Sequence, residues 1–218
     1  MAKDFVVIGL GTFGYEVAKQ LFKQGHNVMA IDKNAITIHN IQDHVTIAIN
    51  TDISDTAVID ELELYNYNKI ILGLGSNLEA LILTIAYLKN KGAKYIISKA
   101  NTELQKQVLL KVGADEVILP EKEVAVKLCE RLDNPNFLDK FVLDNNILLM
   151  NVKVPAKFDN KTLQELDLRN KYNITVLIQK HEGKSVVINN AKFILNEGDE
   201  IFVAGEEKNI KKLFIDKF

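Results

Sequence analysis

An apolar run, Phe5-Val6-Val7-Ile8, passes straight into Gly9-Leu10-Gly11-Thr12-Phe13-Gly14, and Asp32 follows 18 residues after the last of these glycines. Glycine at position 9 permits a tight turn. Glycine at 11 lets a phosphate approach the backbone, and glycine at 14 lets a helix pack closely on the strand. The first amides of that helix then face an anion. Asp32 closes the next apolar run, Val28-Met29-Ala30-Ile31. Its carboxylate there is placed to accept hydrogen bonds from both hydroxyls of a ribose, and it repels a 2′-phosphate. Three glycines at this spacing are weak evidence alone. With a strand before them and an acid after them they indicate a nucleotide site.

The same alternation continues to about residue 133. Apolar runs at Phe5–Ile8, Val28–Ile31, Val45–Ile49, Lys69–Leu72, Tyr95–Ser98 and Glu116–Leu119 read as strands buried on both faces. Amphipathic segments fill the gaps: Val17, Leu21 and Phe22 share one helical face, and Val58, Ile59 and Leu62 another. Asn77 and Asn101 stand at N-cap positions, Gly92 and Gly113 at C-terminal ones. The pattern predicts a Rossmann-like, doubly wound parallel α/β sheet over residues 1–133. Ligands of such sheets lie beyond the carboxyl ends of the strands. Gly9–Gly14, Asp32, Thr51-Asp52 and Gly73–Asn77 all fall there.

Asp133-Asn134-Pro135-Asn136 breaks the pattern. Residues 139–218 then predict a small α+β domain of about 80 residues. Phe141–Val154 suggests one or two strands, and Thr162–Tyr172 a helix opened by a Thr162/Glu165 capping box. Glu182-Gly183 joins a hairpin of Ile174–Gln179 and Lys184–Ile188. Glu197-Gly198-Asp199-Glu200 turns into a strand over Ile201–Ala204, and a helix runs from about Glu206 to Phe218.

The 27 basic and 29 acidic residues nearly cancel, so there is no field to hold nucleic acid or a membrane surface. One cysteine, Cys129, excludes an internal disulfide and fits a reducing compartment. Its surroundings, Val126-Lys127-Leu128, read as a helix face, so the thiol is expected to be a small buried hydrophobe. No signal peptide is visible at the N-terminus. The longest apolar stretch, Leu78–Leu88, reads as a core helix rather than a membrane span.

Four stretches resemble the RCK family, the regulators of potassium conductance, over essentially the whole chain. They are Val7–Gly14, Gly75-Ser76-Asn77, Val112–Lys122 (VGADEVILPEK), and Glu197–Ile201 with Val203-Ala204-Gly205. Many dehydrogenases share the first. The Gly-Ala-Asp-strand-Pro-Glu run and the late Gly-Asp-strand-Gly run are far more specific. Within the family the likeness is greatest to the cytosolic subunits of bacterial Ktr/Trk potassium uptake systems.

The resemblance implies a regulator rather than an enzyme, located in the cytoplasm against the inner face of the membrane. It implies an octameric ring of dimers beneath a KtrB- or TrkH-like channel subunit, binding ATP, ADP or NAD(H). Carried over to this chain, Gly9, Gly11, Thr12, Phe13 and Gly14 form the phosphate loop. Asp32, with Lys33 beside it, holds the ribose, and Thr51 and Asp52 flank the base. Gly75, Ser76 and Asn77 close over the ligand, and Lys99 is a phosphate or ribose contact. For Glu121 two readings stand. It binds magnesium or calcium between paired sites, or it follows Pro120 as an acid favourable to a helix start.

Two departures bear on ligand choice. Relatives that sense ATP often carry arginine where this chain has Thr12, which has no charge to offer a γ-phosphate. Some relatives bind cyclic di-AMP in the C-terminal domain. Asp167-Leu168-Arg169 matches their pattern, but Thr175 replaces an asparagine, and Asn189 or Asn190 a proline.

The alternative is an NAD-dependent oxidoreductase or redox sensor using the same pocket. It needs an acid–base group beside the cofactor. Of the four histidines, His26 is expected in a solvated turn, His39 and His44 at the surface, and His181 before a hairpin, none with a visible partner. A dinucleotide-fold repressor would need a basic helix-turn-helix, and none is seen.

Overall fold

A computed structural model describes residues 2–75, 77–133, 137–144 and 147–215. By internal contacts the chain divides into two compact units, Met1–Glu123 and Val124–Phe218.

The first unit alternates strand and helix. In chain order they are β1 (Asp4–Ile8), α1 (Thr12–Lys23), β2 (Asn27–Asp32), α2 (Ala35–Ile41), β3 (Ile47–Asn50) and α3 (Thr56–Glu61). Then come β4 (Lys69–Leu72), α4 (Leu78–Asn90), β5 (Ile96–Lys99), α5 (Glu103–Val112), β6 (Glu116–Ile118) and α6 (Pro120–Asp133). All six strands are parallel, in the order β3-β2-β1-β4-β5-β6. The order reverses beside β1, so the carboxyl ends of β1 and β4 open a crevice there.

Alternate residues of β1 enter two apolar cores. Val6 and Ile8 join Ile31, Leu72, Ile85 and Leu109 on one face, while Phe5 and Val7 join Ala18, Val28 and Ile41 on the other. Burial of each large aliphatic side chain contributes about 2 kcal/mol, and this fixes the strand register. Asn77 caps α4 as expected, accepting from the Ala80 amide at 3.1 Å. Thr102, not Asn101, caps α5. The side chain of Asn101 instead donates to the Gly75 carbonyl at 2.6 Å.

The division between units falls inside α6, before the polar break expected at Asp133–Asn136, of which residues 134–136 lie outside the described set. The later turns of α6 are tied forward, through an ion pair of Glu130 with Lys140. Cys129 is exposed, contrary to expectation. Val124, Val126, Leu128 and Leu132 are exposed with it.

The second unit continues with β7 (Phe137–Val142), β8 (Ile147–Lys153), β9 (Lys161–Thr162), α7 (Leu163–Leu166), α8 (Leu168–Tyr172), β10 (Thr175–His181) and β11 (Lys184–Val187). It ends with β12 (Ile194–Leu195), β13 (Glu200–Glu206) and α9 (Glu207–Ile210). An antiparallel sheet in the order β11-β10-β13-β8-β7 sits beside a two-stranded β12-β9 ladder. Leu148, Met150 and Val152 of β8 alternate inward against Ile201 and Val203 of β13.

The capping box of Thr162 and Glu165 forms, but the expected helix is broken in two. Asp167 takes a left-handed conformation (φ 49°) between α7 and α8. Glu182 and Gly183 both have positive φ, at 46° and 79°, as the tight hairpin between β10 and β11 requires. The last helix is shorter than expected: α9 ends at Ile210 and passes into one π turn over Lys211–Ile215.

Candidate functional site

The crevice at the end of β1 is built by backbone first. Gly9 turns the chain at φ +85°, and its amide donates to the Ile31 carbonyl at 2.8 Å. A Cβ on Gly14 would stand 2.0 Å from the Gly9 carbonyl oxygen, and one on Gly73 would stand 2.5 Å from the same atom. These two glycines let α1 and the β4 loop close on the turn. Gly11 differs, since a Cβ there would meet nothing within 4 Å. That space lies at the N-terminus of α1, whose first turn carries no acid to satisfy its free amides.

A cavity of about 250 Å³ opens from this point. Gly9, Gly11, Asp32, Lys33, Thr51, Asp52, Gly75 and Asn77 line it, and all eight are expected site residues. Ile31, Ile53 and Ala80 give it an apolar wall for a flat ring. Gly73, in the expected strand-end stretch, and Ser54 line it as well, and composition gives no sign of Ile53, Ser54 or Ala80.

Asp32 is partly committed. Its Oδ2 accepts from the Leu10 amide at 2.5 Å, and its Oδ1 accepts from the Asn34 amide at 2.8 Å. Each oxygen keeps a further lone pair for a ribose hydroxyl. The aspartate therefore shapes the glycine turn as well as bordering the cavity. Asp52 accepts from the Ser54 amide at 2.9 Å. That bond, with the Ser54 hydroxyl and the nearby Lys33 charge, holds its carboxyl below the usual range.

Other expected residues stand apart from the cavity lining. Phe13 packs on the apolar cluster around Phe5 and Val7, and Gly14 is buried in the α1 packing. Thr12 is exposed and faces a separate shallow depression with Tyr15 and Glu16. Ser76 lies outside the described residues. Lys99 Nζ pairs with Glu121 Oε1 at 2.5 Å. Lys99, with the amide of Glu121 itself, holds that carboxyl below its usual value.

Among the described residues no group of three or more His, Cys, Asp or Glu side chains is placed to hold a metal ion. One chain thus offers a cation the single Glu121 carboxylate, already held by an ammonium. That set is incomplete for magnesium or calcium.

In the second unit Asp167 accepts from Asn170 Nδ2 at 2.6 Å, Arg169 is exposed on α8, and Thr175 opens β10. Asn190 donates to Asn189 and accepts from the Lys192 amide, shaping a local turn.

Two histidines differ from expectation. His26 is half-buried against the Phe5 ring, with centroids 5.1 Å apart. His181 does have a partner. Its Nδ1 lies 2.5 Å from Oδ1 of the buried Asp199, whose Oδ2 accepts from Gln179 at 2.6 Å. Strand pairing brings β10 beside β13, a juxtaposition that residue spacing alone does not reveal.

Comparison with known proteins agrees with this architecture. The TrkA-N domain family matches residues 5–120, and the TrkA-C domain family matches residues 147–214. Ktr system potassium uptake protein A of Bacillus subtilis is 32% identical over 210 residues, covering 96% of this chain and 95% of that protein. Ktr system potassium uptake protein A of Vibrio alginolyticus is 29% identical over 208 residues, covering 95% and 94%. The solved GsuK channel bound to NAD shares the fold at a TM-score of 0.64 and 13% identity. The match covers 98% of this chain, which spans 39% of that channel chain. With both domains matched in order and relatives aligned nearly end to end, the chain belongs to the RCK family, a TrkA-N domain followed by a TrkA-C domain.

Proposed function

We propose that this chain is the regulatory subunit of a potassium uptake system, setting the state of a membrane partner according to a bound adenine nucleotide. The observation that carries this reading is the convergence of Gly9, Gly11, Asp32, Asp52 and Asn77 around one cavity at the sheet's switch point. Its parts suit an adenosine diphosphate unit. Helix amides and an unobstructed glycine face the phosphates, a carboxylate faces the ribose, and an apolar wall faces the base. The names of the Ktr relatives, at about a third identity over the full length, supply the potassium context. The NAD in the GsuK channel structure supports a nucleotide as the ligand class.

The candidate ligands are ATP, ADP and NAD(H), with Asp32 set against a 2′-phosphate. A ligand shifts a conformational equilibrium only by its differential affinity for the two states. Moving a gate from about 1:99 to about 99:1 takes about 5.5 kcal/mol, or about 0.7 kcal/mol at each site of an octameric ring. One altered phosphate contact is enough. The ring would place the exposed apolar residues of α6 between copies, on the cytoplasmic side of the membrane partner. Magnesium or calcium at Glu121 would need ligands from the nucleotide or a second copy. Cyclic di-AMP near Asp167 and Arg169 is a further candidate for the second unit.

No observation favours the oxidoreductase reading. Among the described residues, both acids lining the cavity are engaged by backbone amides, and no histidine lines it. Calorimetric titration of the purified chain with ATP, ADP, NADH and cyclic di-AMP, alongside its mass in solution, tests the proposal. One adenine-nucleotide site per chain in an oligomer is expected. A chain that binds none of the adenine nucleotides overturns it.

A further inference from the structure

The stretch that follows β4 walls the cavity, and it is held unevenly. Packing fixes its start. The Gly73 amide donates to the Ile8 carbonyl at 2.7 Å, a Cβ on Gly73 would collide with the Gly9 carbonyl oxygen, and Leu74 packs on the core. Helix α4 fixes its end, where the Asn77 side chain accepts from the Ala80 amide. Gly75 lies between them and is exposed, and a Cβ there would meet only Lys99 Nζ, at 4.0 Å. Among the described residues, the one hydrogen bond to Gly75 is that from Asn101 Nδ2 to its carbonyl, at 2.6 Å. Asn101 itself stands on a braced corner. The Ala100 amide donates to the Ile118 carbonyl at 2.9 Å, the Asn101 amide donates to Gln105 Oε1 at 2.9 Å, and the Thr102 hydroxyl accepts from the Gln105 amide at 3.2 Å. Gly75 and Asn77 line the cavity, whereas Asn101 stands behind that wall.

We propose that Asn101 is a positioning residue of the nucleotide cavity, holding Gly75 where the ligand needs it without touching the ligand itself. This rests on the nucleotide reading above and adds to it a residue that lies outside the cavity. One neutral amide–carbonyl bond shifts a two-state equilibrium about two- to tenfold. That is too little to lock the stretch and enough to bias it. When the bond is lost, a smaller fraction of chains has Gly75 in place, and the apparent affinity falls with that fraction. The loss belongs to association, because an incoming nucleotide must wait for the stretch to return. A nucleotide already bound keeps all its own contacts, so its departure is little changed. The position requires a hydrogen-bond donor, and side-chain shape alone does not suffice. The bond also ties the cavity wall to the start of α5, so Gly75 moves only by breaking it or by carrying that corner along.

The test compares the full-length wild type with Asn101→Leu, which keeps the bulk and removes the donor, and with Asn101→His, which keeps a donor at similar reach. Work at about pH 8 leaves that imidazole neutral. Calorimetric titration with ATP and ADP gives affinity and the fraction of sites filled. Stopped-flow mixing with etheno-ADP, a fluorescent analogue altered on the base alone, gives the two rate constants. Asn101→Leu is expected to weaken ATP and ADP alike, about two- to tenfold, with the loss in the association rate constant and dissociation unchanged within about twofold. Asn101→His should recover most of the loss. The inference is overturned if Asn101→Leu binds as wild type does, or if the loss appears in dissociation, as it would for a residue that contacts the ligand. It is also overturned if Asn101→His is no better than Asn101→Leu, or if the leucine variant only lowers the fraction of sites filled at an unchanged Kd, as damage to the fold would. In each of these cases nucleotide binding itself survives. A wild-type chain that binds none of the three nucleotides defeats the functional proposal along with this inference.

Discussion

Polar side chains converge in both units, but to opposite effect. In the first unit Asp32 gives both carboxylate oxygens, and Asp52 and Asn77 one oxygen each, to nearby backbone amides, and all three still border open space. In the second unit Asp199 is closed in. Its side chain is 7% exposed, with His181 on one oxygen and Gln179 and Asn196 on the other. Gln179 also donates to the Ile194 carbonyl, so this knot ties β10, β12 and the turn before β13 together. A cluster whose members hold a loop open around a cavity is built for a guest. A cluster whose members satisfy one another is a clamp. Residue type does not separate the two cases; the remaining hydrogen-bond capacity does.

The glycines of the first unit give the sharpest test of that contrast. Gly14→Ala places a methyl group 2.0 Å from the Gly9 carbonyl oxygen, a backbone atom that no side-chain rotation can move aside. It is expected to destabilise the first unit by about 4 kcal/mol, an effect at the top of the range for single substitutions. Gly11→Ala meets no atom within 4 Å and has an ordinary φ of −62°. It should leave stability within about 0.5 kcal/mol of wild type while weakening nucleotide binding. Urea unfolding and ATP titration of both variants measure this. Equal losses of stability would show that the space above Gly11 is not reserved for a ligand.

The clamp comes next in size. Asp199→Ala removes one of the two acceptors of the buried Gln179 amide and leaves it only the Ile194 carbonyl, which costs about 2 kcal/mol. The half-exposed His181 recovers water, which keeps the loss below that of a fully buried pair. The pH dependence follows from two opposite shifts. The bond to Asp199 raises His181 above its ordinary 6.5, and the Glu182 charge adds to it. Burial alone would raise the Asp199 carboxyl, but bonds from His181, Gln179 and Asn196 outweigh it and leave the group below 3.8.

The histidine contribution is complete below the ordinary imidazole value and is lost as pH rises through the raised one. The aspartate contribution is complete above the ordinary carboxyl value and is lost as pH falls through the lowered one. The clamp is therefore strongest between about pH 4 and about pH 6.5. Lys184 stands opposite His181 across the hairpin, and Lys180 pairs with Glu200 at 3.1 Å on the neighbouring strand. Urea midpoints measured across pH should show an alkaline decline that His181→Gln abolishes. An unchanged decline in that variant would assign it to another group.

What could be read from the chain follows the same division. The six strands, the glycine turn and Asp32 were legible because each depends on residues close in sequence, an apolar run and then a turn. β3 and β5 are displaced toward their carboxyl ends relative to expectation, since pairing with β2 and β4 sets their limits, not their own composition. Asn101 looked like a helix cap and instead holds Gly75, a bond across 26 residues. The His181–Asp199 pair and the Lys99–Glu121 pair span 18 and 22 residues and depend on strand order, which no local pattern encodes. The break at Asp167 was hidden by a good capping box and a continuous helical period on either side.

The smallest expected effect concerns Cys129, the position where the expectation of burial failed. Its helix leaves Val124, Val126, Leu128 and Leu132 open to water within one chain. Cys129→Ser should change the unfolding free energy of a monomer by no more than about 0.5 kcal/mol, because the side chain is exposed. The thiol should react quickly with a charged, water-soluble reagent at high dilution. If copies associate through α6, raising the protein concentration should slow that reaction as the mass in solution rises. A rate that stays constant while the mass increases would place the association elsewhere, and would leave this apolar helix face without the role in assembly that its exposure suggests.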